Sequence, residues 1–401
     1  MPQPLTALFA HDHFFVETPD GGCFSDGQFP ALSWSRYLEH VDRLIVCARR
    51  RGLRPGEAVE GLSSSRREGV SFRFVPDLSG VRGIVSGHRR AARVLREIVG
   101  SVDAVVVRLP SNVGLLAAAL AKEAGKPVAV EVAGCVWDGL WNYGRLQAKA
   151  YAPIAFWRMR RTIRAAPYVL YVTREFLQSR YPTDGVQASA SNVQLASPDG
   201  AVLERRLRRL AGGPRTPFVL GIIASLKSNF KGIQTALAAL SVAAADLPSF
   251  QFRVLGAGDP ARWRTMAAER GLADRVRFDG VLPSGEPVMA WLDDVDLYLQ
   301  PSFKEGVPRA LIEAMSRGCP AIASTCGGIP ELLDDDCLHR PGDDKALAAR
   351  IARAARDSSW LGQQARRNFE KSRDYDPQAL SERRSIFWNA FFSEAAARRP
   401  R

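Results

Sequence analysis

The stretch that decides the fold is residues 298–331, which read YLQPSFKEGVPRALIEAMSRGCPAIASTCGGIPE. A short apolar run over 296–300 predicts a strand, and the Pro-Ser pair after it ends that strand. A helix starting at Pro308 is predicted next, and a second strand follows over 320–325. The helix has three apolar residues at the spacing of one buried face and a glycine suited to its C-terminal end: Leu311, Ile312, Met315 and Gly318. Strand, loop and helix therefore repeat as in a doubly wound α/β domain, and a further helix is expected around Pro330.

The loops of this stretch carry residues suited to binding a nucleotide-sugar. The turn of Gly306 and Val307 lies at a helix N-terminus, where free N–H groups and the helix dipole favour an anion such as phosphate. Glu305 precedes that turn, and Glu313 follows it. A carboxylate beside a phosphate is repelled unless a neutral group lies between them, and vicinal sugar hydroxyls can donate to both carboxylate oxygens. The pair therefore suggests two sugars flanking a diphosphate. The alternative is that Glu305 caps the helix and Glu313 lies on a solvated face.

Taken together, Glu305, Glu313 and the run Gly-Gly-Ile-Pro-Glu at 327–331 resemble the donor-site signature of the retaining GT-B glycosyltransferases called glycosyl transferases group 1, or glycosyltransferase family 4. The resemblance covers roughly residues 218–335. It implies that Glu305 contacts the transferred sugar and that Glu313 binds the ribose. It also implies a UDP- or GDP-sugar as donor substrate, with no cofactor and no bound metal. Three further residues are expected in the donor site: Gly306, Val307 and Gly328.

A second segment of the same half, residues 225–232, reads SLKSNFKG and resembles the phosphate loop of that family. Lys231 matches the family's lysine, which contacts the diphosphate. Ser225 stands where the family usually has an arginine, so one positive contact is missing, and Lys227 is the candidate replacement. The family places the nucleobase against the loop after the glycine at 280, which makes Leu282 a candidate contact.

The N-terminal half predicts a second Rossmann-like sheet. Apolar runs at 5–9, 43–47, 71–75, 103–107 and 128–132 read as strands, with short crossovers between the later ones. The fold prediction is therefore α/β and GT-B, with two doubly wound domains facing a cleft. Residues 1–195 are predicted to bind the acceptor and residues 196–384 the nucleotide-sugar, and residues 191–216 are predicted to form the connection between the two domains. Residues 385–401 are expected to form an aromatic-rich helix that crosses back to the first domain.

Candidate sites in the N-terminal half are weaker. The segment after the first strand is predicted to be a long functional loop. The family resemblance implies that a glycine-rich loop there approaches the donor phosphates, with Gly22 as the candidate and Gly27 as a second one. His13 is a candidate for acceptor binding or for carrying a proton near pH 7, while two histidines alone are too few for a metal site. Arg108 stands where many family members have a histidine. Asp138 lies in an aromatic-rich segment that either lines an acceptor cleft or covers the core.

Composition limits the class of protein. The chain has 401 residues, a formal net charge of +13 and 46% hydrophobic residues, which is typical of a soluble protein with about two domains. No apolar run approaches the ~20 residues that cross a bilayer, and no signal peptide is recognised. The six cysteines include no Cys-x-x-Cys pair, which favours reduced thiols and a cytoplasmic location. Nucleic acid is not expected as a partner, because no known binding motif accompanies the charge.

The segment 145–165 alternates basic with aromatic and aliphatic residues. It predicts a basic amphipathic helix, which either lies on an anionic membrane surface or presents its charges to water. Pro153 argues against one long helix. Together with the basic charge, this segment favours a saccharide or lipid-linked acceptor and a peripheral position on the inner face of the cytoplasmic membrane.

The reaction that the resemblance implies is transfer of a hexosyl-type sugar to an acceptor hydroxyl with retention, in polysaccharide or glycolipid biosynthesis. Lys231 and Glu305 are the predicted catalytic residues. Two alternatives stay open. A catalytically silent GT-B subunit would bind a nucleotide-sugar or a protein partner, and Ser225 is its support. A nucleotide-sugar epimerase of the same architecture would form product with no acceptor present.

Overall fold

The chain folds into two α/β units, each built on a largely parallel sheet. The computed structural model describes residues 4–26, 29–53, 59, 62–78, 80–196, 199–213 and 215–399, and Gly27 lies outside them. The strands of the first sheet are β1 (Thr6–Glu17), β2 (Cys23–Ser25), β3 (Arg43–Arg51), β4 (Ser63–Ser64), β5 (Val70–Phe74), β6 (Ala104–Leu109), β7 (Val128–Val132), β8 (Tyr168–Tyr171) and β9 (Val186–Ser189). The helices of this unit are α1 (Ser35–Leu38), α2 (Gly80–Ser101), α3 (Asn112–Glu123), α4 (Val136–Trp141), α5 (Leu146–Arg164) and α6 (Phe176–Arg180).

The second sheet has six parallel strands within the described residues, in the order β12–β11–β10–β13–β14–β15. Its strands are β10 (Phe218–Ile223), β11 (Phe250–Leu255), β12 (Val276–Gly280), β13 (Leu297–Gln300), β14 (Ala321–Ser324) and β15 (Leu338–His339). The helices that follow the first unit are α7 (Gly200–Ala211), α8 (Ile233–Ala243), α9 (Ala261–Ala268), α10 (Glu286–Asp293), α11 (Arg309–Ser316), α12 (Asp344–Arg356), α13 (Ser358–Ser372) and α14 (Pro377–Ala397). Numbered from β10, this is the order 3-2-1-4-5-6 of a Rossmann fold.

The first sheet follows the same plan with one addition. Its parallel strands run β5–β3–β1–β6–β7–β8–β9, while β2 pairs antiparallel with the end of β1 and with β4. β6, β7 and β8 are short apolar runs whose residues are nearly all buried, as expected for strands covered by helices on both faces. The prediction of two doubly wound domains is therefore confirmed.

The C-terminal helix α14 joins the two units. Its aromatic side chains pack against rings of the first unit: Trp388 lies 5.2 Å from Tyr37, and Phe391 lies 5.4 Å from Tyr168, between ring centroids. Trp388, Phe391 and Phe392 are at most 2% exposed. The predicted crossing helix is confirmed, although it begins at Pro377, before the predicted start at 385.

Four local predictions differ from the structure. β1 continues through the predicted loop to Glu17, so that loop is a strand and a hairpin. The turn Ile329–Glu331 is a 3-10 helix, not a further α-helix. Residues 200–211, predicted as part of the interdomain connection, form α7. Pro153 lies inside α5 without ending it, and it is exposed.

Candidate active site

The site forms where the strand order of the second sheet reverses. β10 pairs with β11 on one side and with β13 on the other. β12 then extends the sheet beyond β11, whereas β14 and β15 extend it in the opposite direction beyond β13. In open α/β sheets ligands bind in the crevice that such a reversal leaves at the carboxyl ends of the strands. The loop after β10 carries Lys231, and the loop after β13 carries Glu305. The fold itself therefore brings the two predicted catalytic residues together.

Gly232 allows these two loops to touch. Its φ is +75°, in the left-handed region, and a Cβ on it would lie 1.8 Å from the carbonyl oxygen of Pro301. Any other residue would push the loops apart or strain the backbone. Because Lys231 directly precedes this glycine, the close approach also fixes where the lysine side chain starts.

Glu305 lies at the centre of a polar network. Its Oε1 atom accepts hydrogen bonds from Lys231 Nζ at 2.7 Å, Ser302 Oγ at 2.7 Å and Gln300 Nε2 at 3.0 Å. Tyr298 in turn donates to Gln300 Oε1 at 3.0 Å. The Glu305 residue is 8% exposed, and its Oε2 accepts no hydrogen bond from the described residues. The network fixes one oxygen and leaves the other able to accept from a ligand hydroxyl.

The structure does not support the alternative interpretation, in which Glu305 caps the helix and Glu313 lies on a solvated face. Glu305 does not cap α11, because the residue at the cap position is Pro308 and no side chain there accepts from the helix. Glu313 is half-buried on α11, and its carboxylate has no hydrogen-bond partner among the described residues. Burial raises the pKa of the Glu313 carboxyl, although the Coulombic effect of Arg309 opposes this shift. An unpaired, half-buried carboxylate is suited to accepting hydrogen bonds from the hydroxyls of a ligand.

A cavity of about 370 Å³ lies between the two units. The second unit contributes Lys231, Glu305 and the residues 306–309, and the first contributes Arg36, Tyr37 and Arg108 among others. The cations Arg36, Arg108, Lys231 and Arg309 line it. Glu305 is the one carboxylate among the described residues of its lining. The cavity is therefore suited to an anionic ligand that also carries hydroxyl groups.

Arg108 is held on the first-unit side of this cavity. It donates to Glu131 Oε2 at 3.1 Å, and Tyr37 donates to Glu131 Oε1 at 2.7 Å. Glu131 is 3% exposed. The pairing offsets the charge of Arg108, so the side chain is fixed in place while its remaining N–H groups stay available for hydrogen bonds.

Two weaker candidates are not brought to the cavity. Gly22 lies in the hairpin between β1 and β2, where it lines a separate surface groove with Cys23 and Arg66. His13 lies on β1 among aromatic rings, 4.7 Å from Phe15 and 5.0 Å from Phe29 between ring centroids. Burial lowers the pKa of His13 to about 4, which makes it neutral near pH 7. A pKa this low does not favour the predicted role of a proton carrier near pH 7, and acceptor binding by His13 stays a prediction.

Four further candidates do not line the cavity. Asp138 on α4 forms an ion pair with Arg180 at 2.8 Å, which occupies one of its oxygens. Lys227 is exposed, and Leu282 is half-buried against the core of the second unit. Gly328 is buried, and its N–H donates to the carbonyl of Gly306 at 2.7 Å. Gly328 therefore supports the turn at 306–307 from behind.

Sequence reasoning missed several residues of the cavity wall. Arg309 lines the cavity. Its position just after the predicted anion-binding turn and next to Pro308 could have identified it as a site residue from the sequence. Arg36 and Tyr37 come from α1, a short helix that no pattern connected to the site. Lys304 lies between the units, close enough that a Cβ on Gly139 would be 2.9 Å from its Nζ. Burial lowers the pKa of Lys304.

Within residues 4–399, leaving out the undescribed gaps, no three His, Cys, Asp or Glu side chains are grouped so that they could hold a metal ion. Nor does any helix in the described part of the chain have the length and apolar character to cross a membrane.

The chain is similar in sequence to a known family and to several known proteins. Residues 217–357 match the family model of Glycosyl transferases group 1. Protein CapJ of Staphylococcus aureus is 28% identical over 351 residues, which cover 87% of this chain and 86% of CapJ. The amylovoran biosynthesis glycosyltransferase AmsK of Erwinia amylovora is 35% identical over 133 residues, which cover 31% of this chain and 32% of AmsK.

Solved structures show the same fold over nearly the whole chain. Sucrose-phosphate synthase from Thermosynechococcus elongatus superimposes with a TM-score of 0.65 at 17% identity and covers 98% of this chain and all of its own. HepE of Anabaena, in complex with UDP and glucose, superimposes with a TM-score of 0.60 at 17% identity, over 99% of this chain and all of its own. At these identities the likeness shows the fold, which is GT-B.

Proposed function

We infer that this chain is a group 1 glycosyltransferase, and we propose that it transfers a sugar from a nucleotide-sugar to an acceptor hydroxyl with retention of the anomeric configuration. The observation that carries the proposal is the Lys231–Glu305 pair at the reversal of the second sheet. The ammonium group of Lys231, which can stabilise a departing diphosphate, lies there beside the Glu305 carboxylate, whose Oε2 atom accepts no hydrogen bond from the described residues. The family match over 217–357 and the GT-B fold support the same reaction class.

The proposed roles follow from the charges in the cavity. As the bond between the sugar and the diphosphate breaks, negative charge develops on the diphosphate, and Lys231 with the amides of Gly306 and Val307 stabilises it. Glu305 accepts from sugar hydroxyls through its free oxygen and orients the ring. Glu313 lies on α11 outside the cavity lining, and its proposed role, accepting from the ribose, rests on the family resemblance. No carboxylate is assigned as nucleophile. The acceptor hydroxyl attacks on the face that the diphosphate leaves, and a diphosphate oxygen takes its proton.

The missing arginine at Ser225 is the observation that keeps a silent GT-B subunit as a second candidate. Ser225 is exposed and uncharged, and Lys227 beside it is also exposed. Three other cations line the cavity that Lys231 enters: Arg36, Arg108 and Arg309. We propose that Arg36 and Arg309, together with Lys227, supply positive charge to the diphosphate, and that Arg108 donates to it through its remaining N–H groups. Activity is therefore expected despite the serine.

A thermal-shift titration with UDP, GDP, ADP and their sugar conjugates, with and without magnesium, tests the donor site. One nucleotide at a hundred times its Kd is expected to raise the Tm by about 5–10 °C, since binding at that level stabilises the folded state by about 2.7 kcal/mol. The shift should not depend on magnesium. No shift with any of the nucleotides would contradict nucleotide-sugar binding. A shift followed by product formation without acceptor would favour the epimerase.

For the acceptor we propose a saccharide or lipid-linked saccharide of polysaccharide biosynthesis, met at the inner face of the cytoplasmic membrane. The relative AmsK is named for amylovoran biosynthesis. The surface around α5 supports the membrane position. Leu146, Ile154 and Trp157 are 84%, 57% and 66% exposed on the side of α5 away from its buried residues. Trp141 and Tyr143 continue this apolar surface.

The charge of the same surface indicates which membrane it fits. Residues 139–173 contain six basic residues and no acidic one: Arg145, Lys149, Arg158, Arg160, Arg161 and Arg164. Exposed aromatic and aliphatic side chains bordered by cations are typical of helices that lie in the interface of an anionic bilayer. We propose that this α5 surface rests on anionic lipid.

Vesicle co-sedimentation tests the α5 surface. Replacing Arg158, Arg161 and Arg164 by glutamine is expected to weaken binding to phosphatidylglycerol vesicles about 10²-fold, at about 1 kcal/mol per basic residue. Replacing Leu146, Ile154 and Trp157 by serine should also weaken it, because it removes the inserted area. Phosphatidylcholine vesicles are the control. Equal binding of the parent protein to both lipids, or binding to neither, would contradict the proposal.

A further inference from the structure

Glu331, the last residue of the Gly-Gly-Ile-Pro-Glu run, links the two units. Its carboxylate accepts three backbone hydrogen bonds from the first unit: Oε2 from the N–H of Arg174 at 2.7 Å, and Oε1 from those of Glu175 at 3.2 Å and Phe176 at 2.7 Å. These N–H groups lie at the start of α6. The first N–H groups of a helix lack partners within the helix, so an acceptor must come from outside it.

The usual local cap is incomplete here. The residue at the cap position of α6 is Glu175, and its side chain accepts no hydrogen bond from the helix. Thr173 Oγ1 accepts only the N–H of Leu177, at 3.0 Å. Most of the capping thus comes from a residue more than 150 positions later in the chain and in the other unit. A contact that served helix stability alone would need no such partner, because Ser, Thr, Asp or Asn at the cap position suffices.

The contact lies on a seam where the backbones of the two units meet. A Cβ on Gly328 would lie 3.0 Å from Thr173 Cγ2, and a Cβ on Gly306 would lie 2.6 Å from the carbonyl oxygen of Ala133. Gly328 also donates to the carbonyl of Gly306 at 2.7 Å. Glu331, Gly328 and Gly306 are therefore parts of one packed edge that faces the first unit.

This edge also forms the cavity wall. Gly306 lines the cavity together with Ala133 and Val172 of the first unit, while Glu331 itself does not line it. Val172 lies two residues before Arg174, the first of the three residues whose N–H groups donate to Glu331. Movement of the loop at 173–176 away from Glu331 would therefore carry Val172 away from Gly306 and open the cavity.

We propose that Glu331 is a positioning residue that holds the closed arrangement of the cleft. It fixes the loop between β8 and α6 to the Gly-Gly-Ile-Pro-Glu run at 327–331. In this way it sets the distance between Arg108 on one wall of the cavity and Lys231 and Glu305 on the other. Arg174 reinforces the same link, since its guanidinium donates to Asp374 Oδ2 at 2.8 Å. The inference on catalysis rests on the proposed transfer function, whereas the inference on domain closure does not.

The distance between the units provides the direct test. All six native cysteines are buried, so spin labels can be placed at Glu123→Cys on the first unit and Glu269→Cys on the second, both exposed positions. With UDP present, the labelled parent is expected to give a narrow distance distribution by pulsed electron paramagnetic resonance. The additional change Glu331→Ala should broaden it, and Glu331→Gln, which keeps one acceptor oxygen, should give an intermediate width. Glu370→Ala, an exposed carboxylate of α13, is the matched control.

A kinetic measurement separates positioning from simple stability. Because the nucleotide contacts proposed above lie mostly in the second unit, Glu331→Ala should lower kcat/KM for transfer about tenfold or more while changing the Kd for UDP far less. Glu331→Gln should recover part of kcat/KM. An unchanged distance distribution in Glu331→Ala would overturn the proposal, as would a loss of kcat/KM that follows the Tm alone and is not recovered by glutamine. If no transfer is found in the parent protein, the distance measurement still decides the closure and the failure lies with the proposed function.

Discussion

Replacing Lys231 with alanine is expected to lower kcat for glycosyl transfer by about 10²–10³-fold, the loss typical when one preorganised donor to a developing charge is removed. Lys231 Nζ lines the cavity between the units and lies 2.7 Å from Glu305 Oε1. In the proposed reaction it is the cation closest to the departing diphosphate. The rate would be measured as release of nucleoside diphosphate, using the nucleotide-sugar that the thermal-shift titration selects.

Two further variants make this result specific. Lys345→Ala removes an exposed lysine of α12 and is expected to keep the parent rate. Lys231→Arg keeps the charge but replaces a compact ammonium by a planar guanidinium, so partial activity is expected. Circular dichroism and the Tm establish that each variant folds. A Lys231→Ala protein that folds and transfers at the parent rate would remove Lys231 from the mechanism.

Much of the donor site was predictable because it depends on local sequence and on strand order. Lys231 and Glu305 each follow a buried parallel strand, and the strand order of a Rossmann sheet places those two loops side by side. The place of Gly232 directly before α8 indicates a backbone turn that favours glycine. The sequence could not show that Ser302 and Gln300 direct their donors at a single oxygen of Glu305, because that depends on side-chain orientation.

The prediction of a long loop after the first strand was wrong, because long-range contacts override the local composition there. His11, Asp12 and His13 are polar enough to predict a loop, yet β1 continues through them. Asp12 accepts the N–H groups of Asn112 and Val113 at the start of α3, and its carbonyl accepts from Arg49. These partners lie far along the chain, so no local pattern indicates them.

Contacts between the units were the least predictable. Glu331 belongs to a recognised run, but its partners at 174–176 lie in the other unit. Arg36 and Tyr37 likewise reach the cavity only because the two sheets face each other. The relative placement of two domains depends on their whole facing surfaces and on α14, which no short window of sequence contains.

Replacing Glu305 with alanine is expected to lower kcat/KM by about 10³-fold, because the sugar loses the carboxylate that orients it and Lys231 loses its partner. The change also leaves the donors of Ser302 and Gln300 without their acceptor in a buried site. Each unsatisfied group costs about 1–3 kcal/mol, so the Tm should fall as well. The measurement is steady-state kinetics for the donor together with a melting curve. Glu286→Ala, at an exposed position, is the control.

The glutamine variant separates charge from shape at the same position. Glu305→Gln retains a carbonyl oxygen that can accept from Ser302 and Gln300, so its Tm should stay near that of the parent protein. It cannot neutralise Lys231, and the amide group accepts at one atom instead of two. We therefore expect a loss of kcat/KM of about 10²-fold, in the range found when a preorganised electrostatic contact is lost. A glutamine variant with full activity would show that the negative charge of Glu305 is not required.

Combining Lys231→Ala with Glu305→Gln tests whether the two residues act as one unit. Their side chains are hydrogen-bonded, and residues in direct contact typically show non-additive effects. If the carboxylate mainly orients Lys231, removing the lysine makes the second change nearly silent, and the double variant should resemble Lys231→Ala. If Glu305 mainly orients the sugar, the two losses should multiply. The proposed roles predict the second result, because Oε1 holds the lysine while Oε2, which accepts no bond from the described residues, remains for the sugar.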